Sequence, residues 1–359
     1  MGGATYIVDS VRENISDCVF NSNNASRGGA FYWFRSKAGS LSNNKFEDNY
    51  ATEYGGAVYV HSPGLIQNST FKNNGAYYSG GAVYWTPYFG VEQANLKDST
   101  FEGNNASSGG ALFFAMGYGA NVTNCTFNDN HADLYGGAAH FAGNLGKGTT
   151  LSDSRFNNNT GRTGGAVYWA NYGGSIINNE FTNNEAIEDG GSLYVYQRDC
   201  EVRDCSFEDS YAPNGGSIYW ISPTTSRNSN AVLANSTFKR SKAGSGGVAY
   251  IKELVNITVS GCTIKDTEPA TNGGIFFLTK VTDALFRNVD IEGAQASGTG
   301  GAIYATSGSI ILENFNLTGS KASNGGAFYF YNMKTALSNV NIEDVKTTSN
   351  GGIYAYLGS

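Results

Sequence analysis

A pair of glycines followed by a small residue and an aromatic-rich phrase recurs fourteen times, from Gly2-Gly3 to Gly351-Gly352. Gly80-Gly81-Ala82-Val83-Tyr84-Trp85 is one copy, and Gly28 to Trp33, Gly164 to Trp169 and Gly325 to Phe330 repeat it. Successive pairs are separated by 25 to 31 residues. Self-similarity at this period marks a solenoid or array, in which each repeat buries its apolar face against the next. It overrules the two or three domains that 359 residues would otherwise suggest.

The columns of the repeat give its local structure. After Gly-Gly and the small residue come an apolar residue, usually Tyr, and another apolar residue; all four Trp (Trp33, Trp85, Trp169, Trp220) directly follow that Tyr. Period-2 alternation of β-branched and aromatic residues reads as a first strand. A connection of variable length leads to an invariably apolar position (Ile15, Leu41, Ile66, Leu96 and their successors) on a short second strand. Two residues later Asn, Asp or Gly stands in all thirteen copies. These types share tolerance of the left-handed backbone region, so a tight corner with positive φ is expected there. A third strand carries a small residue (Cys18, Ser69, Cys125, Cys205, Cys262) and then a large one, Phe20, Phe46, Phe71 and onward to Ile342. A second corner follows, again Asn, Asp or Gly in eleven of thirteen copies. An Asn comes next in the first seven copies (Asn23, Asn49, Asn74, Asn104, Asn130, Asn159, Asn184) and disappears from Ser210 onward.

Three short strands per coil of about 27 residues point to an all-β parallel β-helix of about 13 coils. Equivalent residues would stack at about 4.8 Å, so like side chains form ladders of Phe, of Asn amides and of Tyr. The chain is expected to be one continuous β-helix over 1–359, with strict repeats over 1–209, degenerate ones over 210–359 and no capping segment. Phe, the Ser/Cys column and the residues flanking Tyr are assigned to the interior. That parity turns Tyr and the small residue after Gly-Gly outward. The opposite parity would bury Tyr and expose Trp.

The phrases Gly-Gly-Ala-Val (Gly55 to Val58, Gly80 to Val83) and Phe-x-x-Asn (Phe46 to Asn49, Phe71 to Asn74) resemble the repeats of chlamydial-type polymorphic outer-membrane proteins, with relatives in protist surface proteins. The resemblance covers essentially the whole chain and implies a right-handed parallel β-helix displayed outside the cell, with adhesion roles. The chain departs from the pattern after Phe207, where the Asn is lost, and anchorage to an outer membrane by a terminal β-barrel is not expected from these residues.

The net charge of −7, without a basic run, argues against a nucleic-acid partner. No run of 18 apolar residues exists, so direct membrane insertion by a helix is not expected. With Met1 followed at once by the first Gly-Gly, no secretory leader is expected from these residues. Both ends fall at the first strand with nothing to blunt the strand edges. Either end-to-end self-association into a filament or neighbouring domains of a longer chain is therefore expected.

Chemistry is sparse. Asp98, Asp153 and Asp204 share the first-corner column, each two coils from the next, but Asn and Gly fill that column elsewhere, so the corner accounts for them without catalysis. His61, His131 and His140 are isolated, and His140 replaces a Tyr. No cofactor, metal or catalytic residue is assigned. Four of the five cysteines lie in the small inward column, beyond disulfide reach of one another, and Cys200 with Cys205 would pair only around a tight fold at Asp204. Of ten Asn-x-Ser/Thr triplets, Asn24, Asn105 and Asn158 are the glycosylation candidates, lying on the turn after Phe. The Tyr column (Tyr32, Tyr59, Tyr84, Tyr168, Tyr194, Tyr219) is a candidate surface ladder for stacking on sugar rings or another copy. The longer connections 86–95, 143–150 and 222–231 would emerge on one edge.

The expected function is a non-catalytic, extracellular or cell-surface structural or adhesive solenoid. The alternatives are a polysaccharide lyase or hydrolase on a pectin-lyase-like fold, and a carbohydrate-binding surface. An ice-binding surface would need a Thr-x-Thr column, and only a single scattered Thr column is present.

Overall fold

The computed structural model describes residues 1–36, 39–62, 64–86, 94–115, 119–143, 148–197, 199–223 and 230–357. Among these there is no helix; the regular structure is parallel β-strand. The chain divides into two compact units, Met1–Glu180 and Phe181–Ser359, and each is a parallel β-helix.

In the first unit every strand lies on its own copy one coil along. Phe31–Phe34 pairs with Val58–His61, which sets Tyr32 on Tyr59 and Trp33 on Val60. Gly39–Ser42, Gly64–Gln67 and Ala94–Lys97 align Leu41, Ile66 and Leu96. Lys45–Glu47, Thr70–Lys72 and Thr100–Glu102 align Phe46, Phe71 and Phe101. The Phe rings stack face to face at 4.7 to 4.9 Å from Phe20 to Phe156. Spacing set by the backbone ladder therefore coincides with good ring-stacking distance. The core holds the Phe and Trp columns, with Trp33, Trp85 and Trp169 at most 1% exposed.

The corners follow the residue types. The first corner has φ between 48° and 58° at Asp17, Asn43, Asn68, Asp98, Asn124, Asp153 and Asn178. The second keeps positive φ at Ser22 (55°), where the Asn/Asp/Gly pattern lapses.

The glycine pair has two separate causes. Gly28 has a φ of +59°, and a Cβ on Gly29 would lie 2.1 Å from the Gly56 carbonyl oxygen of the neighbouring coil. The first glycine answers a backbone conformation and the second a close approach.

Two expectations need correction. The small residue after Gly-Gly faces inward: Ala30, Ala57, Ala82, Ala111, Ala138 and Ala166 are all at 0% exposure. The reason is a local break in alternation, because Ala30 N–H and Phe31 N–H both donate to the Ala57 carbonyl, at 3.0 and 2.9 Å. Two successive residues then point into the core, and alternation begins only after them. The segment between the Asn column and the next Gly-Gly also adds a fourth strand to the three expected. Asn24–Arg27, Tyr50–Tyr54, Gly75–Ser79, Asn105–Ser108, His131–Tyr135 and Thr160–Thr163 form a separate parallel sheet in this unit. Its inward side is a row of small residues, including Ala51, Ala76 and Ala106.

The second unit repeats the plan with short strands as far as Phe276–Thr279 and with longer, unbroken ones from Ala284–Thr299 onward. Ile303–Ala322 and Phe328–Thr347 run in register from Ile303↔Phe328 to Ala322↔Thr347. Positive φ persists at Asp204, Asn235, Gly261, Asn288, Asn314 and Asn339. Arg240, at a φ of 50°, stands at a second corner and is held by the Asp209 carboxylate of the preceding coil at 2.7 and 2.8 Å. The fourth segment thins here, with bridges such as Tyr211↔Lys242 and Asn214↔Ser245.

The loss of the Asn column is compensated across the core. Where Asn gives way to Ser210 and Ser241, the residue after Gly-Gly changes from Ala to Ser192 and Ser217. The hydroxyls meet in pairs, Ser192 with Ser210 at 2.8 Å and Ser217 with Ser241 at 2.7 Å, all four residues buried. Two small hydroxyls that satisfy each other thus stand at the positions held by Asn and Ala in the earlier coils.

Candidate functional site

The Tyr column stacks ring on ring. In the first unit Tyr6, Tyr32, Tyr59, Tyr84 and Phe113 follow at 5.1, 4.9, 5.2 and 5.2 Å, nearly parallel. In the second, Tyr194, Tyr219, Tyr250, Phe277, Tyr304, Tyr329 and Tyr354 continue at 4.5 to 5.2 Å. The ladder lies on the side of the strand opposite Trp but is largely covered by its own copies: Tyr32 is 4% exposed, and Tyr59 and Tyr219 are 7%. Tyr168 lies in the same ladder, edge-on to His140 at 4.7 Å. The Arg27 guanidinium, bonded to Glu53 at 2.7 Å, sits over Tyr54 and Tyr59. Burial pushes the Tyr59 phenol up to about 12. Flat faces are consumed by the ladder, leaving ring edges for any partner.

The Asn column is an internal hydrogen-bond ladder. Asn74 donates its backbone N–H and its Nδ2 to Asn104 Oδ1 at 2.9 and 3.1 Å, and its Nδ2 also reaches the Phe46 carbonyl at 3.0 Å. The same set repeats from Asn49 to Asn130, and each of these amides is at most 1% exposed. Each side chain ties its coil to the one before, through that coil's Phe carbonyl and Asn, and to the one after, through the next Asn Oδ1. The glycosylation candidates lie apart from this ladder: Asn24, Asn105 and Asn158 are exposed, the last at a φ of 55°. The connections 86–95, 143–150 and 222–231 lie mostly outside the described residues.

The corner carboxylates are engaged with neighbouring coils. Asp98 Oδ1 accepts from Asn124 Nδ2 and Asp153 Oδ1 from Asn178 Nδ2, both at 2.7 Å. The bond from Asn178 holds the Asp153 carboxyl below the usual range. In the second unit Asp204 accepts from Asn235 at 3.3 Å. Among the described residues no group of three or more His, Cys, Asp or Glu converges as a metal-binding set. The five cysteines are unpaired as disulfides. Burial pushes the Cys125 thiol up to about 12 and Cys262 up to about 11. His140 is packed among Phe113, Tyr135 and Tyr168, and burial pulls its imidazole down to about 3.

A feature that the sequence reading passed over lies on the fourth sheet of the first unit. Its outward side exposes Tyr50, Tyr77, Tyr78, Leu134 and Tyr135, which are 37% to 62% accessible. A groove of about 530 Å³ opens among Tyr50, Tyr77, Tyr78, Asn105, Ser107 and Asp133, floored by Gly75 and Ala76. Gly75 lies in register between Tyr50 and Asn105. A Cβ there would come 3.2 Å from the Tyr50 ring, so the missing side chain is what opens the groove. Tyr77 is set edge-on against Tyr78 at 4.8 Å. Asp133 lies 3.4 Å from His131 Nε2, and His131 Nδ1 meets Thr160 Oγ1 at 2.8 Å. The signal available in sequence was a lone Gly in a column otherwise occupied by Asn24, Tyr50, Asn105, His131 and Thr160.

A family model described as the right handed beta helix region matches residues 1–145. No curated protein matches the chain. The chain folds as a parallel β-helix, and over residues 1–145 it is similar to the right-handed class of that fold.

Proposed function

We propose that this chain is a non-catalytic structural and adhesive β-solenoid that acts outside the cell or on its surface. The observation that carries the reading is the use made of its polar columns. Asn49, Asn74, Asn104 and Asn130 bond from coil to coil in the interior, and Asp98 and Asp153 are tied to corner amides one coil along. A hydrolase or lyase needs carboxylates free to exchange protons with a substrate, whereas these act as struts. The exposed Asn24 and Asn158 support an extracellular location, since each is open to glycan attachment. The resemblance to polymorphic outer-membrane proteins supports adhesion. Its partners are further copies of the solenoid end to end or neighbouring domains of a longer chain, together with glycans. Nucleic acid and direct membrane insertion have no place in the reading.

Two assays test it. Labelling of intact cells with antibody should equal labelling of permeabilised cells, and purified protein should release no reducing or unsaturated ends from a panel of plant, fungal and bacterial polysaccharides. Depolymerisation of any of these would replace the proposal with the enzymatic one, and labelling only after permeabilisation would remove its location.

A further inference from the structure

We infer that the groove floored by Gly75 is a binding subsite for a neutral saccharide. The inference rests on the adhesive half of the proposed function and gives it a ligand class. Sugar sites pair an aromatic face for the apolar side of the ring with polar groups for its hydroxyls. The groove supplies both. Tyr50 and Tyr77 are 41% and 62% exposed, unlike the self-covered Tyr32 and Tyr59. Asn105, Ser107 and Asp133 line the same opening, and the side chains of Asn105 and Ser107 bond to no other described residue. An amide, a hydroxyl and a carboxylate can together donate to and accept from adjacent hydroxyls. Among the described residues no lysine or arginine lines the groove and Asp133 is its one acid, so the electrostatics disfavour uronates, sulfated sugars and sialosides. At about 530 Å³ it falls in the range of small-ligand sites.

Gly75 makes the inference testable without disturbing the core. Its φ is not in the left-handed region, so a side chain costs no backbone strain there. Thr160 already occupies the equivalent outward position two coils past Asn105. Gly75→Thr should therefore fill the groove and leave the coil intact, with the exposed Tyr50 ring, 3.2 Å from the new Cβ, shifting by a few tenths of an ångström to admit it. A glycan on Asn105 would occupy the same space, so the experiment uses the full chain made in bacteria, which leaves Asn105 bare.

An array of neutral and acidic oligosaccharides is screened, and hits are titrated by saturation-transfer NMR. Binding of neutral oligosaccharides, weakened at least tenfold in both Gly75→Thr and Tyr77→Ser with unchanged melting temperatures, is the expected result. Preference for acidic glycans, undiminished binding by Gly75→Thr, or binding of peptides in place of sugars would overturn it. So would the absence of any bound glycan. None of these outcomes bears on surface location or on the lack of depolymerisation, so the two proposals fail separately.

Discussion

Replacing Asn104 by Ala removes one rung of the internal amide ladder. Asn74 loses the acceptor for its backbone N–H and for its Nδ2, and the Phe71 carbonyl loses the donor 3.0 Å away. Asn130 Oδ1 keeps the Asn104 backbone N–H at 3.0 Å. Two buried donors and one acceptor are left short, and orphaned groups of this kind cost about 1 to 3 kcal/mol each. Partial relaxation of the coil brings the expected loss to about 3 to 5 kcal/mol. The second unit suggests a partial rescue. Ala82 stands to Asn104 as Ser192 stands to Ser210, so Ala82→Ser combined with Asn104→Ser should recreate the 2.8 Å hydroxyl pair. The coupling in the double-mutant cycle should be favourable by about 1 kcal/mol. Guanidinium denaturation followed by tryptophan fluorescence and far-UV dichroism reads both numbers. A loss below about 0.5 kcal/mol for Asn104→Ala, or zero coupling in the cycle, would refute the claim that the ladder and its serine replacement are equivalent solutions to one packing problem.

His140 gives a pH dependence. Its folded value of about 3 lies below the ordinary value, so on acidification the unfolded chain takes up the proton first. Stability associated with this group is whole above pH 7 and declines as pH falls below about 6.5, by up to about 1.4 kcal/mol per pH unit until the folded value is reached. His140→Phe, the residue type of Phe113 one coil earlier, should remove that part of the acid sensitivity; parallel pH profiles for the two proteins in urea melts would contradict it. At the first corner, Asn43 has a φ of 58°. Asn43→Ala should cost about 1 to 2 kcal/mol and Asn43→Gly little, as measured by denaturation midpoints, whereas equal losses would deny that conformation is the cause. In the native protein iodoacetamide should modify the half-buried Cys18 well before Cys125 and Cys262, whose thiols are buried and raised in pKa, and peptide mapping that finds all three equally alkylated would count against the burial.

The β-helix was legible in the sequence because stacking turns each structural demand into a column. Asn, Asp or Gly at every first corner is a backbone requirement written thirteen times, and the φ angles agree at each copy from Asp17 to Asn339. What escaped notice depends on departures from alternation or on relations between columns. The inward turn of Ala30 comes from one carbonyl accepting two N–H groups, which residue types do not record. The fourth strand is concealed because Tyr50–Tyr54 buries one small residue, Ala51, and so lacks an apolar alternation. The exchange of an Ala and Asn pair for Ser192 and Ser210 is visible only when two positions 18 residues apart are read together. The tyrosine groove depends on a gap left by Gly75, which reads in sequence as one more glycine among 48.

Vertical registry is the claim on which the rest depends, and spin-label distances measure it most directly. Lys72, Glu102, Asn128 and Asn157 are successive partners on the third strand of the first unit. With Cys18→Ser removing the most accessible thiol, nitroxide pairs from position 72 to 102, 128 and 157 should lengthen by a constant step of about 4.8 Å per coil. An adjacent pair separated by more than about 15 Å, or a series that fails to lengthen evenly, would contradict the stacking of like residue upon like.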